Sequence, residues 1–172
     1  MWSHKRHILI DIDRQTLSLC EGAERLAVYP VSTALNGVGE CHGSGCTPRG
    51  LHRVRMRIGE GCPPGTVFRG RRPTGEIYDA ALAAACPGRD WILTRILWLT
   101  GCEPGRNRGG RLDTLRRFIY IHGCPDSEPM GIPRSHGCIR MHSRELIELF
   151  DRTPLGTPVM LIQGRRRRRR GA

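Results

Sequence analysis

Short apolar runs set off by polar turns open the chain, at residues 8–12, at 16–20, and at 26–33 after Glu21-Gly22. Runs of this length between turn formers predict a meander of β-hairpins. Over residues 51–58 the positions His52, Val54, Met56 and Ile58 oppose Arg53, Arg55 and Arg57. That is the period of a strand with one wet face, which would line a basic surface. Residues 91–99 and 118–122 are apolar and rich in β-branched and aromatic side chains, so they read as central strands, the second ending at His122. The alanine-rich residues 79–86 predict a short helix stopped by Pro87-Gly88. Ser143 can cap a second helix with Leu146, Leu149 and Phe150 on one face and Glu145 in its first turn. Pro154 and Gly156 end that helix, and residues 159–162 return as a last strand. No solenoid-type repeat is present.

Length adds one constraint: 172 residues suit one domain with a sizeable core. The 22 glycines and 12 prolines favour short elements joined by loops over a helical bundle. The formal charge is +12, and half of it comes from the six arginines that begin at Arg165 and end at Arg170. A run of like charges repels itself and has nothing to bury, so residues 165–172 read as a disordered tail with affinity for anionic polymers or membrane surfaces. Nucleic acid is the disfavoured partner, because no DNA- or RNA-binding motif accompanies the arginines. The N-terminus lacks the apolar core of a signal peptide, and no run approaches the length of a membrane helix. Eight cysteines suit a reducing compartment once one of them is set aside as a nucleophile.

The candidate chemistry lies in Ser135-His136-Gly137-Cys138-Ile139-Arg140, with His122-Gly123 upstream. A cysteine nucleophile needs a base or a positive neighbour to ionise it, and a histidine remote in sequence can be that base. Cys138 is the expected nucleophile and His122 the expected base. Gly137 removes bulk where a substrate carbonyl must approach, and backbone N–H groups around it would steady the oxyanion. His136 and Arg140 each stand two residues from Cys138, on its face if the backbone is extended. His136 would position substrate, make a local hydrogen bond or replace His122 as base. Arg140 would meet a substrate carboxylate, keep the thiolate ionised or form a structural ion pair. Ser135 is read as a hydrogen-bonding support for the loop. Cys124 ends a second His-Gly-Cys triplet and would either pack as a small residue or pair with Cys138 on oxidation. Cys41-His42 and Cys46 approach a zinc knuckle but lack the second pair such sites need, so no metal or cofactor is expected.

The histidine followed at a distance by Ser-His-Gly-Cys-Ile-Arg resembles the signature of the L,D-transpeptidase catalytic domain, the YkuD or ErfK-type family. Val31-Ser32-Thr33, Thr47-Pro48-Arg49-Gly50, Met130-Gly131-Ile132-Pro133 and Gly156-Thr157-Pro158-Val159 resemble further family landmarks, so that residues 6–163 are covered. The resemblance implies a mainly β, bent, sandwich-like domain of mixed sheets with one or two short helices, over residues 1–164. It implies a carbonyl just after His122, that of Gly123, orienting the imidazole. It also implies a peptidoglycan stem tetrapeptide as substrate, cleaved before its terminal D-alanine, the acyl group passing through a thioester to an amine and crosslinking the wall. An L,D-carboxypeptidase, in which water resolves the thioester, is the nearest alternative; a basic wall- or nucleic-acid-binding module is a more distant one. The family works in the cell envelope or periplasm, whereas the missing signal peptide keeps a cytoplasmic site open.

Overall fold

The opening meander folds as β1 (Arg6–Asp11), β2 (Thr16–Glu21) and β3 (Glu24–Pro30), all antiparallel. Ile8, Ile10, Leu17 and Leu19 are fully buried, as their spacing demands. The computed structural model describes residues 5–164, so the expected tail with its run from Arg165 to Arg170 lies outside the described residues. Past the meander come β4 (Gly50–Ile58), the hairpin β5 (Thr66–Arg69) and β6 (Arg72–Ile77), and helix α1 (Ala80–Ala85). Then follow β7 (Leu93–Gly101), β8 (Tyr120–Cys124), β9 (Ile139–His142), helix α2 (Ser143–Asp151) and β10 (Pro158–Ile162). The strands join one mixed sheet in the order β3-β2-β1-β10-β4-β7-β5-β6, with β8 between β7 and β9. The pairs β1–β10 and β8–β9 are parallel. The fold is the expected one, mainly β with two short helices.

Four local expectations are corrected. A bulge between Val54 and Met56 breaks the alternation of β4, because one extra residue shifts every later side chain to the other face. Met56 is exposed, and Arg57 leaves the wet face to lie 4.2 Å over the Phe150 ring. Ser143 does not cap α2: His142 occupies the cap, and Ser143 Oγ shares a 2.6 Å hydrogen bond with Thr94 Oγ1. Both central strands begin two residues later than their apolar runs. The reason at β8 is Phe118, which sits in a turn at φ +57° with its ring half exposed. His122 therefore stands in the middle of its strand.

Side-chain parity in β7, β8 and β9 divides the interior. Leu97, Leu99, Ile119, Ile121, Ile139 and Met141 point into the main core, where Leu146, Leu149 and Phe150 of α2 close over them. Truncating Phe150 to Ala would cost about 3–5 kcal/mol. The alternate positions face a smaller cluster of Phe68, Ile96 and Tyr120, against which Trp98 and Cys138 pack. Polar and reactive side chains of β8 and β9 thus gather on the face away from the main core.

Candidate active site

Parallel pairing of β8 with β9 sets Ile121 beside Ile139, His122 beside Arg140 and Cys124 beside His142. Cys138, one residue before β9, falls beside Tyr120, whose N–H donates to its sulfur at 3.3 Å. Since side chains alternate, Tyr120, His122, Cys138 and Arg140 share one face. His122 and Cys138 are then diagonal neighbours, with backbones about 7–8 Å apart and within side-chain reach. Cys124 stands four positions along the ladder from Cys138, about 13 Å by strand rise, too far for a disulfide. It is buried and donates to the Met141 carbonyl at 3.4 Å, which is the packing role.

His122 is 2% exposed, and its Nδ1 donates to the Gly123 carbonyl at 2.8 Å. A carbonyl can only accept, so this bond places the proton on Nδ1 and leaves Nε2 as the free base. Burial pulls the imidazole below its ordinary value, opposed by the Gly123 carbonyl and the charge of Asp90. Burial pushes the Cys138 thiol up to about 12, with the Tyr120 N–H, Arg140 and Arg117 pulling it back. The resting pair is neutral. Cys138 Sγ donates to the Phe118 carbonyl at 3.3 Å. Its hydrogen bonds among the described residues are those with Phe118 and Tyr120, so proton transfer to His122 requires rotation of the cysteine side chain from this position.

Gly137, at φ +135°, holds the turn that delivers the cysteine. Its N–H donates to Ser135 Oγ at 3.2 Å, and that hydroxyl donates to the Cys138 carbonyl at 2.5 Å. The Gly137 amide, expected to face an oxyanion, is therefore already engaged; the amide against the sulfur is that of Tyr120. Thr47 Oγ1 donates to the Gly137 carbonyl at 2.9 Å, which gives the Thr-Pro-Arg-Gly landmark a physical task. His136 is mostly exposed and meets Asp90 at 3.1 Å. Arg140 pairs with Asp90 at 2.7 Å and Glu128 at 3.7 Å, which is the ion-pair role.

Sequence reasoning missed Asp90 and Arg117. Arg117 donates to the carbonyls of Gly39 and Glu40, both at 3.0 Å, and of Cys46 at 2.6 Å, tying down the loop beside Gly137. Neither residue belongs to a motif, and an acid or an arginine in a turn gives no local signal. All eight cysteines are free, and no group of three side chains among the described residues is placed to hold a metal ion. No helix among them is long and apolar enough to cross a membrane.

The site is thus an imidazole on β8 and a thiol on the turn that enters the adjacent parallel strand β9, each oriented by backbone groups. The chain belongs to the L,D-transpeptidase catalytic domain family (YkuD), whose model matches residues 5–161. It is 42% identical over 50 residues to YqjB of Bacillus subtilis (strain 168), a provisionally named L,D-transpeptidase, covering 29% of this chain and 28% of that protein. Its fold matches an L,D-transpeptidase from Mycobacterium smegmatis at a TM-score of 0.56 and 21% identity, over 91% of this chain and 58% of the other. Bd1075 of Bdellovibrio bacteriovorus matches at a TM-score of 0.57 and 17% identity, over 92% of this chain and 48% of the other. The chain therefore spans less than two thirds of the length of these relatives.

Proposed function

We propose that this chain is a cysteine acyltransferase acting on peptidoglycan stem tetrapeptides. The single observation that supports this most is the shared face of Cys138 and His122, with the Gly123 carbonyl leaving His122 Nε2 free. When a stem occupies the site, the thiol leaves the Phe118 carbonyl and passes its proton to His122 Nε2. Sulfur attacks the carbonyl before the terminal D-alanine, and the Tyr120 N–H, adjacent to the sulfur, steadies the oxyanion. D-Alanine departs with the proton held by His122, leaving a thioester on Cys138. An amine of a second stem then displaces the sulfur and completes a crosslink. The cell envelope is the corresponding place of work, and the stem peptide the corresponding partner.

Mass spectrometry of the protein mixed with a carbapenem or a tetrapeptide stem tests this. One related L,D-transpeptidase, LdtMt1, has been solved in complex with imipenem. A covalent adduct on Cys138, with D-alanine released from the stem, is expected. Absence of any adduct, or an adduct on another cysteine, overturns the proposal. Product masses with stem alone separate crosslinked dimer from the tripeptide that hydrolysis would give.

A further inference from the structure

Asp90 lies in the segment between α1 and β7, and its two carboxylate oxygens take two different partners. Arg140 Nη2 donates to Oδ1 at 2.7 Å, and His136 Nδ1 meets Oδ2 at 3.1 Å. One carboxylate thus joins residues on both sides of Cys138. The turn that presents it is braced, since Arg89 holds Glu76 at 2.9 Å and its guanidinium lies 4.4 Å over the Trp91 ring. Arg140 is the ladder partner of His122, its side chain only 9% exposed. Glu128 approaches its other terminal nitrogen, Nη1, at 3.7 Å. Asp90, Glu128, His136 and Arg140, together with Arg134 and Cys124, line a cleft of about 360 Å³, and His122 lies behind it as the ladder partner of Arg140.

The charge of Asp90 matters unequally in the two halves of the proposed reaction. During acylation a proton moves from Cys138 to His122, and Asp90 acts on both groups in the same sense. The two effects oppose each other, one favouring the imidazolium and the other disfavouring the thiolate. Once sulfur is acylated it carries no charge, and the positive charge of the second half forms on the entering amine and then His122, opposite the oxyanion of the attacked thioester carbonyl. A lone guanidinium facing them would resist both an ammonium and an imidazolium.

Resting on the acyltransfer reading above, we infer that Asp90 is a positioning residue for the second half-reaction: it holds and neutralises Arg140 so that a primary amine can enter the cleft and give up its proton to His122. The amine nitrogen attacks the thioester carbonyl, a C–N bond forms and the C–S bond breaks. The proton collected at His122 Nε2 passes to the departing sulfur, restoring the thiol. Asp90 thereby favours an amine acceptor over water.

The test separates the half-reactions. In Asp90→Asn, acylation by imipenem stays within about threefold of the parent, while the ratio of crosslinked dimer to hydrolysed tripeptide from a tetrapeptide stem falls at least tenfold. The KM for the acceptor amine rises, the acid limb of transfer moves to lower pH, and Asp90→Glu restores most of the ratio. Glu128→Gln shifts the ratio the same way by a smaller factor, and serves if Asp90→Asn fails to fold. An unchanged ratio in both neutral variants overturns the inference, as does an equal loss of acylation and transfer, which would mark a purely structural tie. A parent protein that is never acylated overturns the acyltransfer reading and this inference with it.

Discussion

The tripeptide His-Gly-Cys occurs twice, at 122–124 and at 136–138, in two different backbone settings. In the first copy all three residues are buried in β8, the imidazole held by its neighbour's carbonyl and the thiol closed into the ladder. In the second, a turn puts His136 in solvent and aims Cys138 at the first copy's face. Burial lifts both thiols to about 12, so acidity does not tell them apart. Exposure and partners do: Cys124 is buried with its thiol on the Met141 carbonyl, whereas Cys138 is only partly buried, between the Phe118 carbonyl and the Tyr120 N–H. On the proposed reading, the same three residues become base or nucleophile according to the backbone beneath them.

Exchanging the triplets' side chains one at a time should break the symmetry most sharply. Cys138→Ala abolishes the imipenem adduct, while Cys124→Ala keeps it within about twofold; an adduct that survives Cys138→Ala would reverse the assignment. The imidazoles come next. His122→Ala lowers the acylation rate by about 10²–10⁴, the usual range for a lost general base. His136→Ala, which removes only an exposed contact with Asp90, costs no more than about tenfold. Stopped-flow acylation of both variants reads the difference, and equal losses would mean that the wrong imidazole was chosen.

The two glycines offer a subtler contrast. A Cβ on Gly123 would lie 2.5 Å from the Leu93 carbonyl oxygen, a backbone atom that cannot move without opening β7. On Gly137 it would meet Ile119 Cδ1 at 3.3 Å and the Cys46 carbonyl at 3.4 Å, contacts that yield more easily, although the residue has a positive φ. Gly123→Ala should therefore lose stability at the upper end of the overpacking range, about 3 kcal/mol, measured by urea unfolding. Gly137→Ala should lose about 1–2 kcal/mol from backbone strain and show the larger drop in acylation, because its turn aims the sulfur. A Gly137→Ala protein that acylates at the parental rate would show that the turn does not set the geometry.

Much of this arrangement was legible in the sequence, and the remainder was hidden for identifiable reasons. Short apolar runs between turn formers located β1, β2 and β10, and alternation located the first half of β4, where burial on one face writes itself into every second residue. It failed at Arg57, where a bulge resets the parity without any glycine or proline to announce it. It failed again at Phe118, an aromatic residue that packing holds at a positive φ. The thiol and imidazole were found because their neighbours form a recognisable signature. Asp90 and Arg117 were not, since each acts on the site from another loop, and the contacts that define them join residues dozens of positions apart.

The smallest expected effect concerns acidity and tests whether the resting thiol is set aside from the reaction. With its thiol at about 12, Cys138 carries little thiolate near neutrality. Its alkylation by iodoacetamide, followed at Cys138 by peptide mass mapping, should keep climbing about tenfold per pH unit beyond pH 9, where a free cysteine of pKa about 8.5 has levelled off. Acylation by imipenem should stay nearly flat from pH 7 to 9, because in that complex the proton passes to His122 and not to solvent. Its acid limb should fall below the ordinary histidine value of about 6.5, since burial lowers the pKa of His122 and keeps Nε2 free as the pH drops. If alkylation instead levels near pH 8.5, the thiol is not held against the Phe118 carbonyl, and the neutral resting pair on which the proposed roles of the two triplets depend does not exist.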